Sequence, residues 1–97
     1  MGGSLSESYR IFETRRFQKD IEDLAGNIEF LQTKLKKYVY PQLRQEPHFG
    51  LNVKRLKGFV PAVLRYRIAD WRFFYSVDEK QKIVFMLSVS HRKDAYR

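Results

Sequence analysis

The 97-residue sequence has no cysteine, one tryptophan and only two histidines. Without cysteine there is no disulfide framework, no thiol nucleophile and no Cys-ligated zinc. The two histidines, His48 and His91, are far apart in the chain, and no cluster of carboxylates accompanies either, so no metal site is expected. Five glycines are scattered without forming a phosphate-binding loop, so no nucleotide cofactor is expected either. No apolar run approaches the roughly 20 residues of a membrane span. The N-terminus lacks the basic-then-apolar pattern of an export signal. Residues 1–8 read as a flexible leader, 9–97 as a single domain, and the cytoplasm as its setting.

Acidic residues are also scarce where basic ones are dense. The chain carries 19 Lys and Arg against 11 Asp and Glu, a net charge of +8. Residues 1–50 account for +1 of this and residues 51–97 for +7. Clustered cations release counterions from phosphates, so this asymmetry points to a polyanionic partner. A solvated basic surface is the simpler alternative. With 43% apolar and 15% aromatic residues the chain has enough to build a core.

Tyr9–Glu13 has strand composition, with Tyr9 and Ile11 on one face. Thr14 can cap a helix whose Phe17, Ile21 and Leu24 form one apolar stripe. Gly26 suits the helix end, and Asn27 can cap a second helix carrying Ile28, Leu31, Leu35 and Tyr38. Pro41 should end or kink that helix near Tyr40. Pro47, Gly50, Gly58 and Pro61 mark residues 46–61 as loop or irregular strand, containing the basic segment Val53–Gly58. Ala62–Ile68 and Trp71–Val77 then read as a hairpin around Ala69-Asp70, followed by a strand over Ile83–Ser90. The expected fold is α+β, ordered β-α-α-β-β-β, with a two-helix hairpin on one face of a mostly antiparallel four-stranded sheet.

With Ala69-Asp70 as the turn, Ile68 faces Trp71, Arg67 faces Arg72 and Arg65 faces Phe74. Alternation then puts Leu64, Tyr66, Ile68, Trp71, Phe73, Tyr75 and Val77 on a core face. Val63, Arg65, Arg67, Arg72 and Phe74 fall on the other. Pairing Val77 with Ile83 adds Ile83, Phe85, Leu87 and Val89 to the core and Val84, Met86, Ser88, Ser90 and Arg92 to the open face. Like charges placed opposite each other destabilise a strand pair, so Arg67 against Arg72 suggests selection for binding rather than stability. Guanidiniums grip phosphate bidentately, and Phe74 and Tyr96 offer stacking surfaces, which suits single-stranded RNA.

The segments Leu56-Lys57-Gly58, Arg65-Tyr66-Arg67-Ile68, Asp70-Trp71-Arg72-Phe73-Phe74-Tyr75 and Ser88-Val89-Ser90-His91-Arg92, with Tyr96 close behind, occur in an order that resembles the RelE/ParE toxin superfamily. The likeness runs from Tyr9 to Arg97. It implies the toxin of a type II toxin–antitoxin module, with an acidic antitoxin as partner. It further implies a metal-independent endoribonuclease that cuts mRNA, with the ribosome as the expected setting, and so inhibits translation. In such enzymes the 2′-hydroxyl attacks the adjacent phosphate, leaving a 2′,3′-cyclic phosphate and a 5′-hydroxyl. The resemblance matches Arg65, Arg67, Arg72, Arg92 and Tyr96 to the family's site positions. With the neighbouring basic residues and His91 added, the expected catalytic residues are Arg72, Arg92, Tyr96 and His91, and the expected RNA- or phosphate-binding residues are Lys54, Lys57, Arg65, Arg67 and Lys93. RelE-type members favour Lys on the first hairpin strand, where this chain has Arg. That leaves the general base open between His91, whose intrinsic pKa suits proton transfer but whose register turns it toward the core, and Tyr96. His48 is given no site role. Two further readings stay open: a ParE-like inhibitor of DNA gyrase without nuclease activity, and a non-catalytic nucleic-acid-binding module of the same fold.

Overall fold

The computed structural model of the chain describes residues 8–91. Strand β1 (Arg10–Glu13) leads into helix α1 (Arg15–Asp23). A 3-10 turn over Ala25–Asn27 precedes α2 (Ile28–Lys34), which continues through a π-helical segment, Leu35–Val39, into α3 (Tyr40–Gln45). Strands β2 (Val53–Arg55), β3 (Leu64–Ile68), β4 (Trp71–Asp78) and β5 (Ile83–His91) complete the chain. They form one sheet in the order β1-β5-β4-β3-β2, with β1 parallel to β5 and the other neighbours antiparallel. The strand count is therefore five rather than four. The additional strand is β2, whose Val53–Arg55 register with Tyr66–Leu64 lies in the segment expected to be loop or irregular strand.

The helices cover one face of the sheet. Phe17 and Ile21 of α1 and Leu31, Leu35, Val39 and Leu43 of the long helix pack on Leu64, Tyr66, Trp71, Phe73, Tyr75, Val84, Met86 and Val89. Thr14 caps α1 by accepting from the Phe17 amide at 3.2 Å, and its hydroxyl donates to the Met86 carbonyl at 2.8 Å. Asp20 accepts from the Val89 amide at 3.0 Å, so α1 is fixed to β5 by polar bonds at both ends of its apolar stripe. Asn27, by contrast, makes no capping bond.

Pro41 does not end the helix. Lacking an N–H, it cannot bond four residues back, and the wider π turn just before it lets the chain continue to Gln45. The same turn changes the helical phase. Leu31, Leu35, Val39 and Leu43 are buried at a constant spacing of four, and Tyr38, expected on the stripe, is turned outward and about half exposed.

The β3–β4 register is the expected one: Ile68 opposite Trp71, Arg67 opposite Arg72, Arg65 opposite Phe74. The β4–β5 register is not. Val77 pairs with Val84, Tyr75 with Met86, and Phe74 with Ser88, so Leu87 is an extra residue on β5, a β-bulge. Val84 and Met86 are fully buried, whereas the expected register put them on the open face. Ile83 and Phe85 stand there instead, and Phe12 of β1 packs edge-on against Phe85, with ring centroids 5.7 Å apart. Beyond the bulge the alternation returns to the expected phase, with Val89 in the core and Ser88 and Ser90 open.

Candidate functional site: an arginine face on the open side of the sheet

Two cross-strand rows build the site on the side of the sheet away from the helices. One row runs Lys54, Arg65, Phe74, Ser88 across β2, β3, β4 and β5, and the next runs Arg67, Arg72, Ser90 across β3, β4 and β5. Neighbouring strands lie about 4.8 Å apart, so three guanidiniums and an ammonium share a patch a few side chains wide.

Among the described residues the three arginines of the patch have no carboxylate ion-pair partner. Arg65 Nε and Arg72 Nη1 are buried and have no hydrogen-bond partner among the described residues. Arg67 Nε donates to the Ala69 carbonyl at 3.3 Å, which holds the side chain at the β3–β4 turn. Desolvation pushes the Arg65 guanidinium below its ordinary pKa, and the charges of Arg72 and Arg67 push it further. Buried donors without acceptors cost free energy unless a ligand supplies the acceptors. An oxyanion bound between Arg65, Arg67 and Arg72 would do so while cancelling their mutual repulsion.

The structure thus brings Lys54, Arg65, Arg67 and Arg72 together. Lys57 lies elsewhere, in the β2–β3 loop closed by the Leu56 N–H to Val63 carbonyl bond, at the end of β3 remote from Arg67. His91 is opposite Trp71 on the core side and stacks edge-on to its indole, with ring centroids 4.6 Å apart, so its imidazole does not share the arginine face. Arg92, Lys93 and Tyr96 lie outside the described residues. His48, given no site role from the sequence, has a partner in the structure. It contacts the Glu79 carboxylate, which also accepts from Tyr9 Oη at 2.8 Å and Lys82 Nζ at 2.9 Å. These bonds hold the Glu79 carboxyl down at about 2, His48 contributing most, and they tie the loop after α3 to the β4–β5 turn. No signal in the sequence pairs residues 31 positions apart in two loops.

Among the described residues no three His, Cys, Asp or Glu side chains converge as a metal site would require, and no helix is long and apolar enough to cross a membrane.

Residues 11–96 match the family model described as the ParE toxin of the type II toxin–antitoxin system parDE. The chain belongs to this family, within the RelE/ParE toxin superfamily. Solved structures agree on the fold. The RelBE2 toxin–antitoxin complex of Mycobacterium tuberculosis superposes with a TM-score of 0.69 at 22% identity, covering 88% of this chain and 92% of that one. The archaeal RelE–RelB complex of Pyrococcus horikoshii gives 0.62 at 26% identity, covering 88% and 96%. A metal-bound toxin from Helicobacter pylori gives 0.69 at 20% identity, covering 89% and 97%. No curated protein matches the sequence significantly.

Proposed function

We propose that this type II toxin is a metal-independent endoribonuclease of the cytoplasm that cuts mRNA, with the ribosome as its setting, and is held in check by an acidic antitoxin. The observation that carries the reading is the cluster of Arg65, Arg67 and Arg72 on an open sheet face, with Arg65 Nε and Arg72 Nη1 buried and unbonded among the described residues. In the proposed reaction the 2′-hydroxyl of one nucleotide attacks the adjacent phosphorus. The P–O5′ bond breaks, leaving a 2′,3′-cyclic phosphate and a 5′-hydroxyl. Arg72 and Arg65 stabilise the extra negative charge on the pentacoordinate phosphorus, and Arg67 and Lys54 hold the flanking phosphates. The 2′-hydroxyl proton leaves to a base and the 5′-oxygen takes one from an acid. With the His91 imidazole packed on Trp71 away from the arginine face, Tyr96, which the family resemblance matches to a site residue, is the proposed proton-transfer group.

The antitoxin part rests on charge and on the open face. An anionic chain would associate fast with the +7 half. Exposed Phe12, with Phe85 beside it, gives that chain an apolar anchor on the same open face, two to three strands from the arginines.

The decisive experiment incubates the purified toxin with RNA, alone and with ribosomes, in EDTA, and reads the fragment ends by mass spectrometry. Cyclic-phosphate and 5′-hydroxyl ends support the reading; strict Mg²⁺ dependence or 5′-phosphate ends overturn it. One observation favours a second reading: the matching family model is that of ParE, which raises inhibition of DNA gyrase without RNA cleavage. A gyrase supercoiling assay run in parallel separates the two.

A further inference from the structure

At the edge of the arginine face, where β3 turns into β4, the sheet meets the π-helical segment. A cleft of about 330 Å³ opens there, lined by Lys34, Tyr38, Asn52, Tyr66, Arg67, Ile68 and Ala69. Tyr38 is 51% exposed because the π turn spends the core-facing position on Val39 instead. A π turn inserted into a helix often marks a functional position. The Lys34 ammonium is held between two rings, 5.3 Å from the Phe30 centroid and 5.1 Å from that of Tyr38. Asn52 is exposed; its amide donates to Tyr66 Oη at 3.4 Å, and its backbone carbonyl accepts from the Arg67 amide at 3.0 Å. No carboxylate of the described residues lines the cleft. Arg67 belongs to both surfaces: it lines the cleft and stands opposite Arg72, about 5 Å away across the strand pair.

We propose that this cleft is a nucleotide subsite for single-stranded RNA, taking a base and phosphate that flank the bond cut on the arginine face. The inference rests on the RNA-cleaving reading above and extends it. Tyr38 supplies the stacking surface, Lys34 and Arg67 bracket the phosphate, and the Asn52 carboxamide offers hydrogen bonds to a base edge. An exposed aromatic ring beside two cations, contiguous with a phosphate-binding face, is the combination single-stranded RNA sites use.

The test measures binding of the intact toxin to fluorescent 2′-O-methyl RNA, which cannot be cleaved, using a dinucleotide and a hexanucleotide. Tyr38→Ala should weaken hexanucleotide binding by about tenfold, the scale of one lost base stack, and dinucleotide binding by less than twofold. Tyr38→Phe should restore the affinity. Lys34→Ala should weaken the hexanucleotide and lower the slope of its salt dependence by about one counterion. Thermal melting of each variant shows that it is folded. Equal losses on both lengths, or none on the hexanucleotide, overturn the subsite while leaving the cleavage reading intact. So does a loss confined to antitoxin binding. A wild-type toxin that binds neither RNA and cuts none overturns both.

Discussion

Arg65→Met should make the protein more stable and less active. Arg65 sits in the row between Lys54 and Phe74, two residues from Arg67 on the same face and diagonal to Arg72. Its Nε is buried without a hydrogen-bond partner, and burial together with the two neighbouring arginines lowers its pKa. Like charges at cross-strand and diagonal positions each cost a few tenths to about 1 kcal/mol. An unsatisfied buried donor costs about 1–3 kcal/mol. The side chain is partly exposed, so water screens part of both costs, and a net penalty of about 1–2 kcal/mol remains. Methionine keeps most of the apolar stem that packs against the sheet and removes the charge and the orphan donor. For a domain of this size each kcal/mol moves the melting temperature by about 4–8 °C. The expected rise is therefore about 4–16 °C in low salt, shrinking as salt screens the repulsion. RNA binding should fall at least tenfold in the same variant. Differential scanning calorimetry at two salt concentrations, with anisotropy binding, measures both. A melting temperature that falls or stays constant would refute the claim that this arginine is held at a cost to the fold.

The other expectations are briefer. Arg72→Ala should lower the cleavage rate by about a hundred- to a thousandfold, the loss typical of one charged stabiliser, while the protein still melts cooperatively; a folded variant of full activity counts against the site. Thr14→Ala removes both the α1 cap and the bond to the Met86 carbonyl at the bulge, and should cost about 1–2 kcal/mol in urea unfolding. Glu79 has a folded-state pKa depressed to about 2, against about 4.3 in an unfolded chain. Its contribution is therefore complete above pH 5 and disappears as pH falls through 4 toward 2. Glu79→Gln should lower stability at neutral pH, where the bonds of the carboxylate to His48, Lys82 and Tyr9 are lost, and flatten the acid limb of the stability curve in that window. A variant with an unchanged acid limb would show the cluster to be energetically idle.

Local rules in the sequence determined the larger part of this protein. The cap at Thr14, the apolar stripe through Phe17 and Ile21, and the tight turn at Ala69-Asp70 are short-range features. The turn alone sets the β3–β4 register, because a two-residue loop leaves one way to align the strands, and that register puts Arg65, Arg67 and Arg72 on one face. Two insertions of a single residue escaped it. The bulge at Leu87 exchanges the faces of Ile83–Met86, because Thr14 and Asp20 bond to β5 on either side of the bulge and hold it against α1. The π turn at Leu35–Val39 exchanges Tyr38 for Val39, because Pro41 denies the helix its regular bond while the sheet demands a continuous apolar seam. Both devices resolve a conflict between periodicity and packing, and such a conflict exists only once the helix and sheet are in contact. For the same reason the tertiary structure alone decided the Glu79 cluster and the cleft that joins Tyr38 to Arg67, whereas strand register had already turned His91 toward the core. The cluster and the cleft each join side chains from elements that are distant in the chain, and no local pattern records which of them will meet.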